Sequence, residues 1–422
     1  MSREYKDSGI EWIGKIPKEW EVVCFKRIHN DANVGESIDK NYCSDNDSDS
    51  LFYTAGLKPI HTTYKDFPTW KYTSKNDLLL SRNGTPYVYL PFPESIYSDH
   101  IIRVDIKKNY LREYVRYCIQ QAISFVVVDT VSIATWSISL WNKQFLPNPS
   151  LPVQQKIANF LDKVCGEVDE LISLQETMIE ELKAYKQSAI TEAVTKGLNP
   201  NVPMKDSGID WIGEIPEHWE LNPLKYCFGR RSEKNNPVKT EERLSLSIDK
   251  GVTLYSEKTT NLDRFKEDFT QYQLAYPNDI VLNCMNMIVG AVGLSNYMGC
   301  VSPVYYVIYP IRQDINPLYY SYLLNIQTIR GVYYSLGKGI YAIERGEGRV
   351  NTCRLKVAYN DFGRLEIPVP PLKEQKEITL FIQQKCSEID SLIALKQAKI
   401  EELKEYKKSV IYEYVTGKKE VC

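Results

Sequence analysis

The stretch KDSGIEWIGKIPKEWE, Lys6 to Glu21, returns as KDSGIDWIGEIPEHWE, Lys205 to Glu220, with changes only where Glu11 meets Asp210, Lys15 meets Glu214, Lys18 meets Glu217 and Glu19 meets His218. A second segment repeats without a gap: Ile157 to Thr195 lines up with Ile378 to Thr416, so that Phe160 meets Phe381, Cys165 meets Cys386 and Asp169 meets Asp390. This is a two-unit internal repeat, and it constrains the fold more than length does. Between the duplicated parts, from about Val22 in one half and Leu221 in the other, the sequences hardly match. A frame kept twice around an insert varied twice puts two similar questions to one partner.

At 422 residues the chain needs at least two cores, and its mean hydropathy of -0.36 describes a soluble folded protein with no bilayer-length apolar run. The polar start, MSREYKDSG, has no apolar signal segment, which makes a cytoplasmic chain the expectation. The 10 cysteines are scattered without a CxxC pair and the 4 histidines lie far apart, so reduced thiols are expected and no metal site. A net charge of -2 excludes binding to polyanions by bulk charge. Any nucleic-acid role must rest on local patches.

From Leu151 an apolar stripe recurs at Ile157, Leu161, Val164, Val168 and Leu171, then at Met178, Leu182, Tyr185 and Ala189. Alternate spacings of four and three mark a coiled-coil seam. Pro152 suits a first turn, while Gly197 and Pro200 give the stop. The predicted helix is about 45 residues and roughly 65 Å long. Its copy follows Pro370 and Pro371 and runs to Gly417, with Ile378, Ile382, Ile389, Leu392, Leu403, Tyr406 and Val410 on the stripe. Gln175 and Lys396 place a polar residue at the same point of each seam, a device that fixes register. The simplest burial is one helix against the other. With the second insert bridging them, that pairing is antiparallel, puts the inserts at opposite ends, and acts as a spacer.

Both inserts read as mixed α and β. LFYTA (Leu51 to Ala55), DLLLS (Asp77 to Ser81), YVYL (Tyr87 to Leu90) and IIRVDI (Ile101 to Ile106) are predicted strands, and Tyr110 to Ile123 has helical spacing. The second insert offers Arg243 to Ile248, Asp279 to Met285 and Val304 to Ile311 as strands, with Pro317 to Ile329 as one helix before a tail. Asn76-Asp77-Leu78 parallels Asn278-Asp279-Ile280, each opening a buried strand, which points to one fold with two surfaces.

Catalytic motifs are missing. No glycine-rich cofactor loop follows a strand, and Asn148-Pro149, Asn199-Pro200 and Asn222-Pro223 lack the second proline and aromatic that a DNA amino-methyltransferase uses to hold its target amine. Gly331 to Lys338 (GVYYSLGK) resembles a phosphate loop but has one residue too many between its glycines and Gly339 where Ser or Thr should follow. No nucleophile elbow or HExxH occurs. The expectation is a chain without a catalytic centre.

Binding signals are better. In Arg330 to Lys356, Lys338, Arg345, Arg349 and Arg354 stand among tyrosines and glycines, with Asn351 beside them. The first insert offers Lys71, the turn Arg82-Asn83-Gly84-Thr85, and Thr135 within TVSIATWS. Arg and Asn can pair bidentately with guanine and adenine in the major groove. Lys71, Arg82, Asn83, Thr85, Thr135, Lys338, Arg345, Arg349, Asn351 and Arg354 are the candidate DNA contacts.

W-I-G-x-I-P-x-x-W at the start of each half, IPVPPLKEQKEI (Ile367 to Ile378) leading into a long helix, and the helix end AITEAVTKG (Ala189 to Gly197) resemble the specificity subunit of type I restriction-modification systems. The resemblance covers nearly the whole chain. One departure is the first helix entry, LPNPSLPVQQKI (Leu146 to Ile157), which keeps Gln154 or Gln155 but lacks the proline pair and glutamate of the second. The resemblance implies an α+β fold: mixed α/β target-recognition domains at 1–150 and 198–371, joined by conserved helices at 151–197 and 372–418 that form an antiparallel coiled coil with a pseudo-twofold repeat. It implies that each domain reads half of a split site in double-stranded DNA while the helices set the gap. Two methyltransferase subunits dock on the helices and restriction/translocase subunits join, with S-adenosylmethionine, ATP and Mg on the partners and no cofactor on this chain. A methylation-only or other defence system without the nuclease is the alternative, or a coiled-coil scaffold that reads no sequence.

Overall fold

The structure is a computed structural model that describes residues 3–127, 134–248, 250–257, 268–340, 344–345, 349–350 and 354–421. The chain divides into two compact units, Met1–Glu176 with Gln397–Cys422, and Thr177–Lys396. Both boundaries fall inside the long helices, so each unit holds one insert and part of each helix.

In the first unit the central strand Asp77–Ser81 is buried at all five residues. Alternation along it explains why. Leu78 and Leu80 enter one core with Val104 and Ile106, while Leu79 enters a second core with Tyr89, Tyr97 and Ile101. This strand sits in a four-stranded antiparallel sheet in which His29–Val34 pairs with Ile101–Ile106, then Asp77–Ser81, then Val88–Tyr89. The helix Arg112–Ser124 covers the larger core with Tyr114, Val115, Cys118 and Ile119. A smaller sheet of Ile96–Tyr97, Ser50–Tyr53, Ile60–Thr62 and Cys43–Ser44 lies alongside.

The second unit repeats the scheme with different residues. Phe228–Arg231 pairs with Tyr305–Pro310, then Ile280–Asn283, then Val292–Leu294, all antiparallel and in the same order relative to chain position. Ile280 and Leu282 face the large core, and Val281 faces a small one with Val307. Asp77 and Asp279 open the two matching strands, accepting from Ser74 N–H at 2.6 Å and Tyr276 N–H at 2.9 Å respectively. The expectation that Pro317 to Ile329 forms one helix is corrected. Two helices, Pro317–Leu323 and Gln327–Leu336, occupy the region, and Leu324 and Ile326 between them are buried. Gly331 to Leu336 is therefore helical, and GVYYSLGK cannot be a phosphate loop.

The repeated frame makes a hairpin in each unit, Tyr5–Asp7 with Lys15–Pro17 and Met204–Asp206 with Glu214–Pro216. Its turns need glycine, since Gly9, Gly14, Gly208 and Gly213 have φ of 70°, 67°, 71° and 72°. The frame also anchors the inserts. Buried Gln154 accepts from the Leu111 N–H at 2.9 Å, and the equivalent Gln375 accepts from the Asn316 N–H at 2.8 Å, each just before an insert helix. Gln154, rather than Gln155, is thus the working residue of the first helix entry. Tyr114 Oη donates to Pro147 O and Val415 O, both at 3.1 Å; Tyr320 and Tyr319 make the equivalent bonds separately, to Pro368 O at 3.1 Å and Val194 O at 2.6 Å.

The long helices run Leu151–Lys196 and Leu372–Val415 and pack antiparallel within each unit. Phe160 meets Tyr414 and Asp169 meets Lys407 in one; Met178 meets Lys396 and Lys186 meets Asp390 in the other. Ile157, Leu161, Val168, Ile378, Ile382 and Ile389 are buried, and Val164, Leu182 and Leu403 are half-buried. Leu171 and Leu392 are a correction, being 46% and 47% exposed. Their neighbours Ile172 and Ile393 take the seam positions, followed by Ile179 and Ile400 in place of Met178, and by Lys186 and Lys407 in place of Tyr185 and Tyr406.

Candidate nucleic-acid interface

The first insert gathers four of its five candidates around one turn. Arg82 to Thr85 links Asp77–Ser81 to Val88–Tyr89, and Gly84 turns it with a φ of 76°. Residues 134–136 return beside it. Asn83 forms a β-bridge with Thr135, Gly84 N–H donates to Ala134 O at 2.9 Å, and Trp136 N–H donates to Arg82 O at 2.7 Å. The Trp136 indole closes the cluster, donating to Gly84 O at 2.7 Å. Residues 130–133 of the predicted segment lie outside the described residues. On this base Arg82, Thr85 and Thr135 are exposed, and the Asn83 amide sits 2.8 Å from His100 Nδ1. An arginine, an amide, two hydroxyls and an imidazole thus share one surface.

Lys71 is placed differently. Its ammonium bonds the Glu36 carboxylate and donates to Val34 O at 2.9 Å, and its side chain is 13% exposed. Its charge is spent inside the protein.

In the second insert Lys338–Ile340 pairs with Arg354–Lys356, placing Lys338 opposite Lys356 and Ile340 opposite Arg354. Glu344–Arg345 pairs with Arg349–Val350, placing Arg345 opposite Arg349. The glycine-rich tail is thus strand where it is described. Asn351 lies outside the described residues. A two-stranded ribbon fits the major groove of B-DNA, and the like charges of Lys338 and Lys356, opposite each other across it, favour an anion.

The sequence reading missed Arg230 and Arg231, which end the edge strand Phe228–Arg231. Arg231 grips Asp279 at 2.6 and 2.9 Å and packs on Tyr276 and Tyr309. The contact with Asp279 holds its guanidinium above the usual arginine pKa. Buried Arg103 does the matching work in the first insert, 3.4 Å from Asp77 and 3.1 Å from Asp31. The signal available was the adjacent Arg-Arg pair just after the repeated frame.

Residues 225–405 match the family model for the type I restriction modification DNA specificity domain. Over those residues the chain is similar to that specificity family. It is 24% identical to the type I restriction enzyme MjaVIII specificity subunit of Methanocaldococcus jannaschii, over 96% of this chain and 94% of that one. It is 21% identical to the EcoBI specificity subunit of Escherichia coli, over 93% and 84%. A solved structure described in terms of complex assembly and conformational transition of the type I R-M system shares the fold, with a TM-score of 0.62 at 14% identity over 95% of this chain and 98% of that one. In family terms, the matched domain spans the second insert and most of the second long helix. No helix among the described residues is long and apolar enough to cross a membrane.

Proposed function

We propose that this chain is the DNA-recognition subunit of a type I restriction-modification complex, with domains at 1–150 and 198–371 that each read one half of a bipartite site. The observation that carries this is the repeated four-stranded sheet: one strand order and one frame, presenting an arginine and amide turn in one insert and a basic ribbon in the other. The paired helices at 151–197 and 372–418 hold the gap between half-sites and offer the repeated surface on which two methyltransferase subunits dock. Restriction/translocase subunits join that complex.

Arg82, Asn83, Thr85 and Thr135 meet DNA from the first insert; Lys338, Arg345, Arg349, Asn351 and Arg354 meet it from the second. Lys71 contributes only if DNA displaces Glu36. The chain carries no catalytic centre and works in the cytoplasm. S-adenosylmethionine, ATP and Mg belong to the partners.

Exchange of residues 22–145 for the corresponding insert of another specificity subunit, followed by methylome sequencing, tests the reading. One half of the methylated motif should change. Both halves changing, or neither, refutes it.

A further inference from the structure

Arg230 and Arg231 are neighbours on a strand and so face opposite sides of the sheet. Arg231 is satisfied by Asp279. Arg230 is exposed, and among the described residues it has no ion pair and no side-chain hydrogen bond. Two rings hold it instead. Its guanidinium carbon lies 5.1 Å from the centre of the Tyr306 ring and 4.8 Å from that of Tyr359. The rings stand at 76° to each other with centroids 5.3 Å apart. Tyr306 is itself fixed, since its hydroxyl donates to Val357 O at 2.9 Å. A guanidinium packed on rings keeps its N–H edge free and has already lost the motion that binding would freeze.

Two further cations stand close by. Val357 follows Lys356 and its N–H donates to Cys284 O at 3.2 Å. The Val357 carbonyl is also the acceptor of the Tyr306 hydroxyl, so the ring that holds Arg230 is tied to the residue next to Lys356. Lys356 faces Lys338 across the ladder, and both are exposed without an ion pair among the described residues. Opposed like charges destabilise a strand pair unless an anion sits between them. Three uncompensated cations match a row of phosphates, each of uniform charge. A base edge would call for one fork.

We propose that Arg230, set by Tyr306 and Tyr359, is a preorganised phosphate clamp of the second insert, with Lys338 and Lys356 continuing the same track along the DNA backbone. This rests on the DNA-recognition reading above. The guanidinium edge gives two parallel N–H donors to one phosphate, and the ammonium groups hold its neighbours.

The test uses the full chain assembled with its methyltransferase subunits. Affinity is measured across a salt series for duplex DNA carrying the methylated motif and for an equal-length duplex with the motif scrambled. Arg230→Gln should weaken both duplexes by the same factor, roughly tenfold, and make the log–log salt slope shallower by about 0.9. Tyr359→Leu should lose affinity with the slope unchanged, because the charge remains while its placement is lost. Lys338→Gln combined with Lys356→Gln changes only exposed strand residues and should flatten the slope by about 1.8, so the track stays testable even if Arg230→Gln proves unstable. Unchanged affinity and slope in Arg230→Gln, or a loss confined to the motif duplex, overturns the clamp. Failure of the unaltered complex to bind either duplex would instead overturn the DNA-recognition reading.

Discussion

Lys186 Nζ lies 2.7 Å from both carboxylate oxygens of Asp390, and in the other unit Lys407 makes the same bridge to Asp169 at 2.6 and 2.7 Å. The four residues are repeat equivalents, so one Lys–Asp device is used twice. Each lysine occupies a seam position and reaches across to the partner helix, which suits one antiparallel register and penalises a slipped one. The pairs are partly exposed, so solvent screening limits their worth. A double-mutant cycle on Lys186 and Asp390, followed by thermal melting, should give a coupling of only about 0.5 kcal/mol. Charge reversal of Asp390 alone should lower the melting temperature, and adding Lys186→Asp should restore it.

The seam correction makes opposite predictions for two leucines ten residues apart. Leu161 is fully buried, and Leu161→Ala should cost about 2–5 kcal/mol in denaturant unfolding. Leu171 is 46% exposed, and Leu171→Ala should stay within about 0.5 kcal/mol of the parent. Equal losses at both sites would restore the seam read from sequence alone.

Helix length should set the gap between half-sites. A heptad inserted after Gln187, with a matching heptad after Ser387 to keep the antiparallel seam in phase, lengthens the helix pair by roughly 10 Å, about three base pairs. Methylome sequencing should show an unchanged pair of half-sites with a longer spacer. An unchanged spacer would mean that the helices are not the ruler.

Asp77 offers a pH signature. Burial raises its carboxyl above the ordinary 3.8, against the pull of the Ser74 N–H and Arg103. The folded chain therefore holds this proton more tightly than the unfolded chain does. Its contribution to stability should fall as pH rises from below 3.8 through the raised folded value, the reverse of a salt-bridged carboxylate. Asp77→Asn should remove that slope, so the difference in unfolding free energy between parent and variant should vary with pH across this window and be flat above it.

What the sequence showed plainly was whatever repetition or continuous burial writes into local pattern. Asp77–Ser81 and Ile101–Ile106 were legible to the residue because both faces of each strand are covered, leaving an apolar run with sharp ends. The seam was legible as a seam but not in phase. Leu171 adjoins Ile172 and Leu392 adjoins Ile393, and a local window cannot choose between adjacent apolar residues. The longer pattern Leu161, Cys165, Val168, Ile172, Gln175, Ile179 makes the choice, and it requires accepting a cysteine and a glutamine on the stripe. The Arg82 turn was found because Arg-Asn-Gly-Thr is turn chemistry. Its partner His100 was not, since the two meet only when strands pair. Arg230 was missed for the same reason: Tyr306 and Tyr359, which hold it, are distant in sequence and meet it only in the folded sheet.

Gly417, at a φ of 71°, packs so tightly on the first frame that a Cβ there would come within 2.7 Å of Pro17 and 2.9 Å of Trp20. Lys418 Nζ donates to Ile13 O at 2.9 Å, and Arg3 bridges Glu420 at 3.0 Å. Order along the gene and order of assembly therefore part company. Residues 397–422 complete a unit whose other strands precede the second insert, so that unit waits, half-walled, until the second insert has been made, while Thr177–Lys396 has all its own parts earlier. A stop shortly after Lys396 would spare the second insert and strip the first of its floor, turning a lesion downstream of the second insert into a defect in the first.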